Sequence, residues 1–203
     1  MAQTDTVGLR ERKKHRTTIA LQDAAYRLFS ERGYHRTTVD DIAAAAGVST
    51  RTYYRYYKNK EDVVLGPLSD SLDHYRAILA GRPSSEPPMQ ALQESFMEFT
   101  SEVEDPVMRT RLELVASEPE LQRGAFELGS RWQNELTSDL VVKAHGGEDD
   151  RRSLWLAAGM AITLWIGSLR LWVEAGGKRA LTDVVSDTFG SITELVKTGL
   201  GLG

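Results

Sequence analysis

Cysteine is absent from this chain of 203 residues, and only four histidines occur in it. Without cysteine there are no disulfides and no thiolate metal ligands, which favours a reducing compartment such as the cytoplasm. The histidines lie far apart, and no two of them have the i, i+4 spacing of a zinc-binding helix. We therefore predict no metal site and no cofactor.

Catalytic and phosphate-binding motifs are absent as well. The chain contains no Gly-x-Ser-x-Gly sequence and no phosphate-binding loop. Residues 199–203 match part of a dinucleotide-binding signature, but no helix can follow them, so we expect a flexible tail there. We do not predict an enzyme.

Long uncharged runs are scarce. The N-terminus is polar and charged, so no secretory signal is predicted. Residues 153–169 carry no charge, but this run falls just short of the ~18 apolar residues expected of a spanning helix, and arginines stand on both sides of it. We interpret the run as a buried helix of a soluble cytoplasmic protein and predict no membrane partner.

Charge is divided unevenly along the chain. Residues 1–60 carry 12 basic and 6 acidic residues, a net charge of +6, whereas residues 61–203 carry 13 basic and 23 acidic residues, a net charge of −10. A basic N-terminal third on an acidic body is what a local phosphate-binding surface requires. Charge alone leaves chance clustering of surface residues as the alternative.

Helical periodicity recurs along the chain, and no segment shows the sustained alternation of a strand, so the fold is predicted to be all-α. A first helix is expected from about Thr18 to Ser30, and longer helices at about 60–80, 89–104, 106–117, 120–144, 150–175 and 180–199. We predict a flexible basic arm over residues 1–15, a helix-turn-helix domain over 16–60 and a further helical domain over 61–203.

The segment from Thr37 to Lys60 predicts two short helices around a tight turn at Gly47, the second covering Thr50 to about Tyr57. Its outer face offers arginines that can contact guanine in the major groove and tyrosine hydroxyls that can contact phosphate. A solvated helix of an ordinary bundle is the alternative for the arginines taken singly. The predicted DNA-binding residues are Thr37, Thr38, Ser49, Thr50, Arg51, Thr52, Tyr54, Arg55, Tyr56 and Lys60.

This stretch resembles the DNA-binding domain of the TetR family of bacterial regulators. The residues that carry the resemblance are Ala24-Ala25, Leu28-Phe29, Gly33-Tyr34, Thr37-Thr38, Ile42-Ala43, Ala46-Gly47-Val48-Ser49, Thr52-Tyr53-Tyr54, Tyr56-Tyr57 and Lys60-Glu61. Two departures are Tyr53 and Tyr57, where leucine or phenylalanine is more usual. A third is Arg51, which replaces a small residue and is our first candidate for sequence specificity.

The resemblance implies a homodimer that binds a near-palindromic double-stranded DNA operator, with one recognition helix of each copy in the major groove. It also implies that residues 61–203 form a ligand-binding and dimerisation domain. Repression is the family's common mode of action, and a small, hydrophobic effector is expected to release the DNA. The arginine-rich arm is expected either to reach the adjacent minor groove or to remain a solvated tail.

The last two helices are predicted to form the dimer interface by the same resemblance. Helix 150–175 carries two apolar seams and is apolar nearly all round, so it must be buried on more than one side. The alternative is a monomeric core. On the dimer hypothesis, a charge at Ile162 or Trp165 should give monomers or insoluble protein.

The remaining helices are expected to enclose the effector. Arg109 and Arg111 can pair with an anionic ligand group, although a surface ion pair with Glu113 is the alternative for them. A weak resemblance over Arg111–Leu121 suggests acyl-chain ligands. The predicted ligand-binding residues are Phe96, Phe99, Met108, Arg109, Leu112, Phe126, Trp132, Trp155, Met160 and Trp165.

Two other classes of protein are alternatives to a transcription regulator. A structural nucleoid protein is expected to be basic overall, and this chain has a net charge of −4. A soluble helical protein that binds lipids or acyl chains without an operator is the other alternative. We predict instead that a ligand shifts the population of DNA-competent molecules, with the helix at residues 60–80 as the lever.

Overall fold

The computed structural model describes residues 3–103, 106–144 and 148–197, and the described residues form nine α-helices and no strand. The prediction of an all-α fold is confirmed. The glycine-rich segment 199–203 lies outside the described residues. The helices are α1 (Gln3–Arg32), α2 (Val39–Ala45), α3 (Thr50–Tyr53), α4 (Asp62–Gly81), α5 (Pro88–Val103), α6 (Pro106–Ser117), α7 (Pro119–Lys143), α8 (Glu148–Glu174) and α9 (Leu181–Lys197).

The chain divides into two compact units, Met1–Leu68 and Ser69–Gly203. This division falls inside helix α4, eight residues beyond the boundary that the sequence predicts at residue 60. Helix α4 therefore begins in the first unit and ends in the second.

The first helix is longer than the sequence predicts. Helix α1 runs from Gln3, so residues 3–15 of the predicted flexible arm are helical and continuous with the helix expected from Thr18. The physical reason is that no proline interrupts the stretch and that glutamate, arginine and lysine, which favour helices, fill residues 10–16.

The core of the first unit is small. Helix α1 contributes one face, made of Leu21, Ala25, Leu28 and Phe29, all of which are buried. Helix α2 packs on α1 and α3 and buries its Ile42 completely, and α3 buries Tyr53. These contacts fix the position of the short helix α3 on the longer helix α1.

The second unit is built from long helices, of which α8 packs extensively on both α7 and α9. The position of the Gln133 side chain of α7 depends on Gly159 of α8, because a Cβ there would clash with the amide of Gln133. That amide donates instead to the carbonyl oxygen of Trp155 at 3.0 Å. Small residues on α8 therefore allow side chains of α7 to reach its backbone.

Helix α8 is the one described helix that is long and apolar enough to cross a membrane, over Asp150–Glu174, and 39% of its most apolar stretch is buried within the protein. Its inner face, which includes Leu154, Ala158, Ala161 and Trp165, is buried. The hydrophobicity of the run is thus explained in part by the core of the second unit.

Candidate DNA-binding surface and effector region

Helix α2 begins with a reciprocal cap. Thr38 Oγ1 accepts a hydrogen bond from the Asp41 backbone N–H at 3.1 Å, and the Asp41 carboxylate accepts one from the Thr38 backbone N–H at 3.0 Å. The Thr38 hydroxyl also donates to the Asp41 carboxylate at 2.6 Å, and this hydrogen bond, followed by the one from the Thr38 backbone N–H, holds the pKa of Asp41 below its ordinary value. The cap fixes the start of the helix-turn-helix, because two otherwise unsatisfied N–H groups are bonded.

The turn between α2 and α3 depends on Gly47, whose φ of 68° lies in the left-handed region that glycine adopts without strain. Ser49 then caps α3, since its Oγ accepts from the Thr52 N–H at 3.1 Å. The Thr50 hydroxyl donates to Asp40 Oδ1 at 2.5 Å, which ties the start of α3 to α2.

Helix α3 is shorter than predicted. It ends at Tyr53, whereas the sequence predicts a helix to about Tyr57. Beyond Tyr53 the backbone tightens into turns with i to i−3 hydrogen bonds, such as Tyr56 N–H to the Tyr53 carbonyl at 2.8 Å. Residues 54–56 therefore form turns and do not continue α3, and Tyr57 after them is buried in the core.

Two tyrosines of this segment point inward, as expected. Tyr53 is fully buried and its hydroxyl donates to the Asn59 carbonyl at 2.9 Å, while burial raises its pKa. Tyr57 is buried as well, and its hydroxyl accepts from Gln22 Nε2 at 3.2 Å. Both hydroxyls that replace the more usual apolar side chains thus have partners within the unit.

The outer side of α3 and its following turn is formed by Arg51, Tyr54 and Arg55, all of which are exposed. The Arg55 guanidinium lies over the ring of Tyr56, with 5.4 Å between Cζ and the ring centroid. The hydroxyls of Ser49, Thr50 and Thr52 are engaged in hydrogen bonds within the motif. The exposed polar groups of this face therefore belong mainly to Arg51, Tyr54 and Arg55.

Two predicted DNA contacts differ in the structure. Thr37 is buried, and its hydroxyl donates to the Gly33 carbonyl at 2.9 Å, so it closes the turn after α1 and offers nothing to a phosphate. The Lys60 ammonium donates to the Tyr34 carbonyl at 2.8 Å and lies 4.0 Å from the centre of the Tyr34 ring. Lys60 thus binds Tyr34 within the first unit. A contact of its remaining N–H groups with phosphate stays a prediction.

In the second unit, four of the predicted ligand-binding residues converge in one aromatic cluster. The rings of Phe96 and Trp165 are stacked at 5.3 Å between centroids, and those of Trp132 and Trp165 are stacked at 5.9 Å. Phe99 contacts both tryptophans edge-on. Trp165 Nε1 donates to the hydroxyl of Thr100 at 3.2 Å, whereas the buried Trp132 Nε1 has no hydrogen-bond partner among the described residues.

Other predicted ligand-binding residues lie elsewhere. Met108 and Leu112 are buried on α6, but Phe126 on α7 is 76% exposed, and Trp155 and Met160 on α8 are 46% and 41% exposed. Met160 lies on the side of α8 away from the buried residues and Trp155 at their edge, because successive residues are rotated by about 100° around the helix. The assignment of these three residues to the interior of the domain is corrected.

The two arginines of α6 have different environments. Arg109 is exposed and its Nε donates to Glu113 at 2.9 Å, so the surface ion-pair alternative holds for it and its assignment to the effector site is corrected. Arg111 is buried, with its Nη1 lying 4.0 Å from the sulfur of Met108. Their spacing of two residues puts them on different faces of the helix.

Within the second unit, the end of α4 is fastened to α7. Arg76 donates two hydrogen bonds to the carboxylate of Asp139, at 2.7 Å and 2.8 Å, and lies 3.4 Å from Glu135. These partners raise the pKa of the guanidinium, so it stays charged. The ion pair of Arg76 with Asp139 is not predicted from the sequence, because no sequence pattern connects residues 63 positions apart.

The outer face of α8 is apolar and exposed. It is formed by Trp155, Leu156, Met160, Ile166 and Leu171, which are 41–55% exposed. Ile162 and Trp165, which the sequence analysis assigns to the dimer interface, are buried in the subunit's own core. The reason is that α8 is apolar nearly all round, and the helices of its own subunit cover only the side that carries these two residues.

A capped helix-turn-helix with an exposed basic and aromatic face, followed by a separate unit of long helices, defines a bacterial transcription regulator of the two-unit helical type. Residues 21–66 match the family model described as bacterial regulatory proteins, tetR family, and residues 86–197 match the one described as the MftR C-terminal domain. The chain belongs to the TetR family of ligand-responsive transcription regulators.

Individual relatives agree with this assignment. The chain is 41% identical over 98 residues to the transcriptional regulator TcmR of Streptomyces glaucescens, covering 48% of this chain and 43% of TcmR. It is 28% identical over 165 residues to MftR of Mycobacterium tuberculosis, a candidate regulator of mycofactocin biosynthesis, covering 78% of this chain and 83% of MftR. The chain thus spans less than half of the first relative and most of the second.

The fold also matches a solved structure. The fatty acid degradation regulator FadR from Bacillus halodurans superimposes with a TM-score of 0.59 at 25% identity, covering 92% of this chain and 95% of FadR. These relatives are transcription regulators, and the similarity extends over both units of the chain.

Proposed function

We propose that this chain is a homodimeric repressor that binds a palindromic operator through α3 and leaves it when a hydrophobic effector binds to the second unit. The observation that carries the proposal is the exposed face of α3. Arg51, Tyr54 and Arg55 point outward, while the hydroxyls around them are used to hold the helix. Such a face suits a major groove, where arginine contacts guanine O6 and N7.

The homodimer is supported by the uncovered apolar face of α8. Five large apolar side chains along one helix are costly to leave in water, and a second copy related by two-fold symmetry would cover the same face on both subunits. Two α3 helices related in this way require an operator whose half-sites are inverted repeats.

The hydrophobic effector is supported by the composition of the second unit. Its core contains packed aromatic rings from α4, α5, α7, α8 and α9 and the buried cation Arg111. An apolar ligand with an anionic end suits such an interior, and fatty acyl compounds are one such class. The relation to a fatty acid degradation regulator agrees with this class.

Release of DNA is proposed to be a population shift. Helix α4 runs from the first unit into the second, where Arg76 fastens it to α7, so a ligand that prefers one placement of α7 also selects a placement of α4. Shifting the DNA-competent fraction from 99% to 1% requires a preference of about 5.5 kcal/mol for the other form. The protein is proposed to act in the cytoplasm and to catalyse no reaction.

The test begins with selection of duplexes from a random DNA pool by the purified full-length protein. We expect enrichment of a near-palindrome and its release by a long-chain acyl-CoA but not by coenzyme A alone. Recovery of sequences without two-fold symmetry would contradict the dimeric binding mode. Failure of acyl-CoAs of every chain length to release the DNA would contradict the effector class and leave the DNA-binding part intact.

A further inference from the structure

The N-terminal turns of α1 carry a concentrated basic segment. Arg12, Lys13, Lys14 and Arg16 are all exposed, and Glu11 is the one acidic residue from position 11 to position 16. We call residues 12–16 the basic turn. It lies before residue 21, where the match to the DNA-binding family model begins, so membership of the family does not by itself explain these charges.

The basic turn is part of a regular helix that continues into the core. The hydroxyl of Thr17 donates to the Lys13 carbonyl at 3.0 Å and that of Thr18 donates to the Lys14 carbonyl at 3.2 Å. Four residues beyond Thr17, Leu21 is fully buried. The charges are therefore held at fixed positions relative to the helix-turn-helix.

The basic turn adjoins the segment after α3. The side chain of Thr17 lies beside the Tyr56 hydroxyl, and this contact, followed by those with Arg55 and by the nearby charge of Lys14, lowers the pKa of that phenol. The Arg55 guanidinium covers the Tyr56 ring. Basic groups of α1 and of the α3 segment thus meet at Tyr56 and form one continuous surface.

We propose that the basic turn is a rigid extension of the DNA-binding surface, which binds backbone phosphates flanking the sequence that α3 reads. This inference rests on the DNA-binding mode proposed above. Its partner is the sugar-phosphate backbone of duplex DNA, since clustered lysine and arginine without base-matching geometry recognise phosphate charge rather than sequence.

The helical form of the basic turn bears on the expectation that an N-terminal arm reaches into the minor groove. An α-helix with its side chains is about 10–12 Å across, whereas the minor groove of B-DNA is only about 6 Å wide. A helical segment therefore does not thread into the minor groove as an extended arm does. Its side chains can reach phosphates along the groove edge instead.

The experiment measures binding to two duplexes by fluorescence anisotropy over a series of potassium chloride concentrations. One duplex is the palindrome recovered from the random pool, and the other carries about ten extra base pairs, roughly one helical turn, at each end. The variant is Lys13→Gln with Lys14→Gln. Its control is Arg123→Gln with Lys178→Gln, which removes the same charge from exposed residues of the second unit.

We expect the wild-type protein and the control to bind the longer duplex more tightly and with a steeper salt dependence. The Lys13/Lys14 variant should bind both duplexes with similar affinity, and its salt slope should fall by about 0.9 for each phosphate that it no longer neutralises. Tyr56→Phe, which removes only the hydroxyl beside Thr17, should reduce the advantage of the longer duplex as well.

Equal salt slopes for the Lys13/Lys14 variant and its control would overturn the inference and leave the proposed function standing. A drop in sequence preference with an unchanged salt slope would also overturn it, because the basic turn would then read bases. Wild-type protein that binds no duplex at low salt would overturn this inference and the proposed DNA-binding function together.

Discussion

In the unit that ends at Leu68, the helix proposed to read DNA is four residues long, whereas the unit that begins at Ser69 contains helices of up to 27 residues. The short helix is held by local hydrogen bonds, such as those of Ser49 and of Thr50 with Asp40. The long helices are held by apolar faces and by side chains far apart in sequence. The short helix α3 is therefore positioned largely by polar caps, and the long helices by packing.

This contrast explains what each unit exposes. A surface for DNA can consist of charged and polar groups that remain hydrated until they bind. The centre of a surface for a second subunit is usually more apolar, and leaving it in water is unfavourable until the copy covers it. The exposed arginines in and after α3 and the exposed apolar side chains of α8 are the candidates for these two surfaces.

The largest effects are expected from placing a charge on α8, and they should differ between its outer and its inner face. Leu156→Glu should give folded monomers that do not bind the operator, whereas Ile162→Glu should unfold the unit, because an uncompensated buried charge costs about 3–5 kcal/mol. Light scattering and circular dichroism distinguish these outcomes. Val142→Glu, at an equally apolar but exposed position on α7, serves as the control and should leave a folded dimer.

A folded monomer from Ile162→Glu, together with an intact dimer from Leu156→Glu, would reverse the assignment of the two faces. Intact dimers from both α8 variants would remove α8 from the interface altogether.

The next effect concerns base reading by the first unit. Arg51→Ala should weaken binding to the selected operator by about 1–3 kcal/mol and relax the preference at one base position per half-site. The measurement is a comparison of affinities over single-base variants of the operator. Arg27→Ala removes an exposed arginine from the middle of α1 and should leave the base preference unchanged. Uniform weakening on all sequences would mean that Arg51 contacts only phosphate.

A smaller effect is expected at the contact that fastens α4 to α7. Arg76→Gln should lower the free energy of unfolding by roughly 1–2 kcal/mol, because it removes a two-pronged, partly exposed ion pair. It should also blunt release of DNA by an effector without weakening DNA binding in its absence. Urea unfolding and anisotropy measure the two effects.

Arg109→Gln provides the matched control for that variant. Its partner Glu113 lies four residues away on the exposed surface of α6, so removing this ion pair should cost less than about 0.5 kcal/mol. Normal effector response in Arg76→Gln would show that the contact stabilises the unit without transmitting the signal.

The smallest effect tests the cap of α2. Thr38→Ala should cost about 1 kcal/mol at neutral pH. The Thr38 hydrogen bond keeps the pKa of Asp41 below its ordinary value of 3.8, so this stabilisation is present above that pH and is lost as the pH falls through the lower folded value. The stability difference between wild type and variant should therefore shrink on acidification, as measured by urea unfolding at several pH values.

Ser30→Ala, an exposed substitution within α1, should show no such pH dependence. A Thr38→Ala difference that stays constant from neutral to acidic pH would mean that the cap acts without the Asp41 carboxylate.

Much of this architecture could be predicted because its signals are local. The caps at Thr38 and Ser49, the turn at Gly47 and the inward positions of Tyr53 and Tyr57 follow from short-range spacing, and most helix boundaries lie within two residues of those expected. The site residues on the outer face of α3 follow from the same periodicity. Their contacts with DNA remain predictions.

The predictions that differ from the structure depend on contacts that spacing does not encode. Lys60 is available for a phosphate by sequence, but the fold brings the Tyr34 carbonyl within 2.8 Å of its ammonium. Periodicity finds apolar residues nearly all round α8, but it cannot say which of them the neighbouring helices cover. In the structure, Ile162 lies in the core and Trp155 at the surface.

Sequence alone determined the helical class of this protein, its helix-turn-helix and its division into a basic and an acidic part. The reason is that caps, turns and local charge depend on residues that are close together in the sequence. Tertiary structure decided which hydroxyls and cations are already engaged, which aromatic rings meet in the second unit and which face of α8 is left uncovered. Those outcomes depend on side chains that are tens of residues apart, and only packing of the helices brings them together.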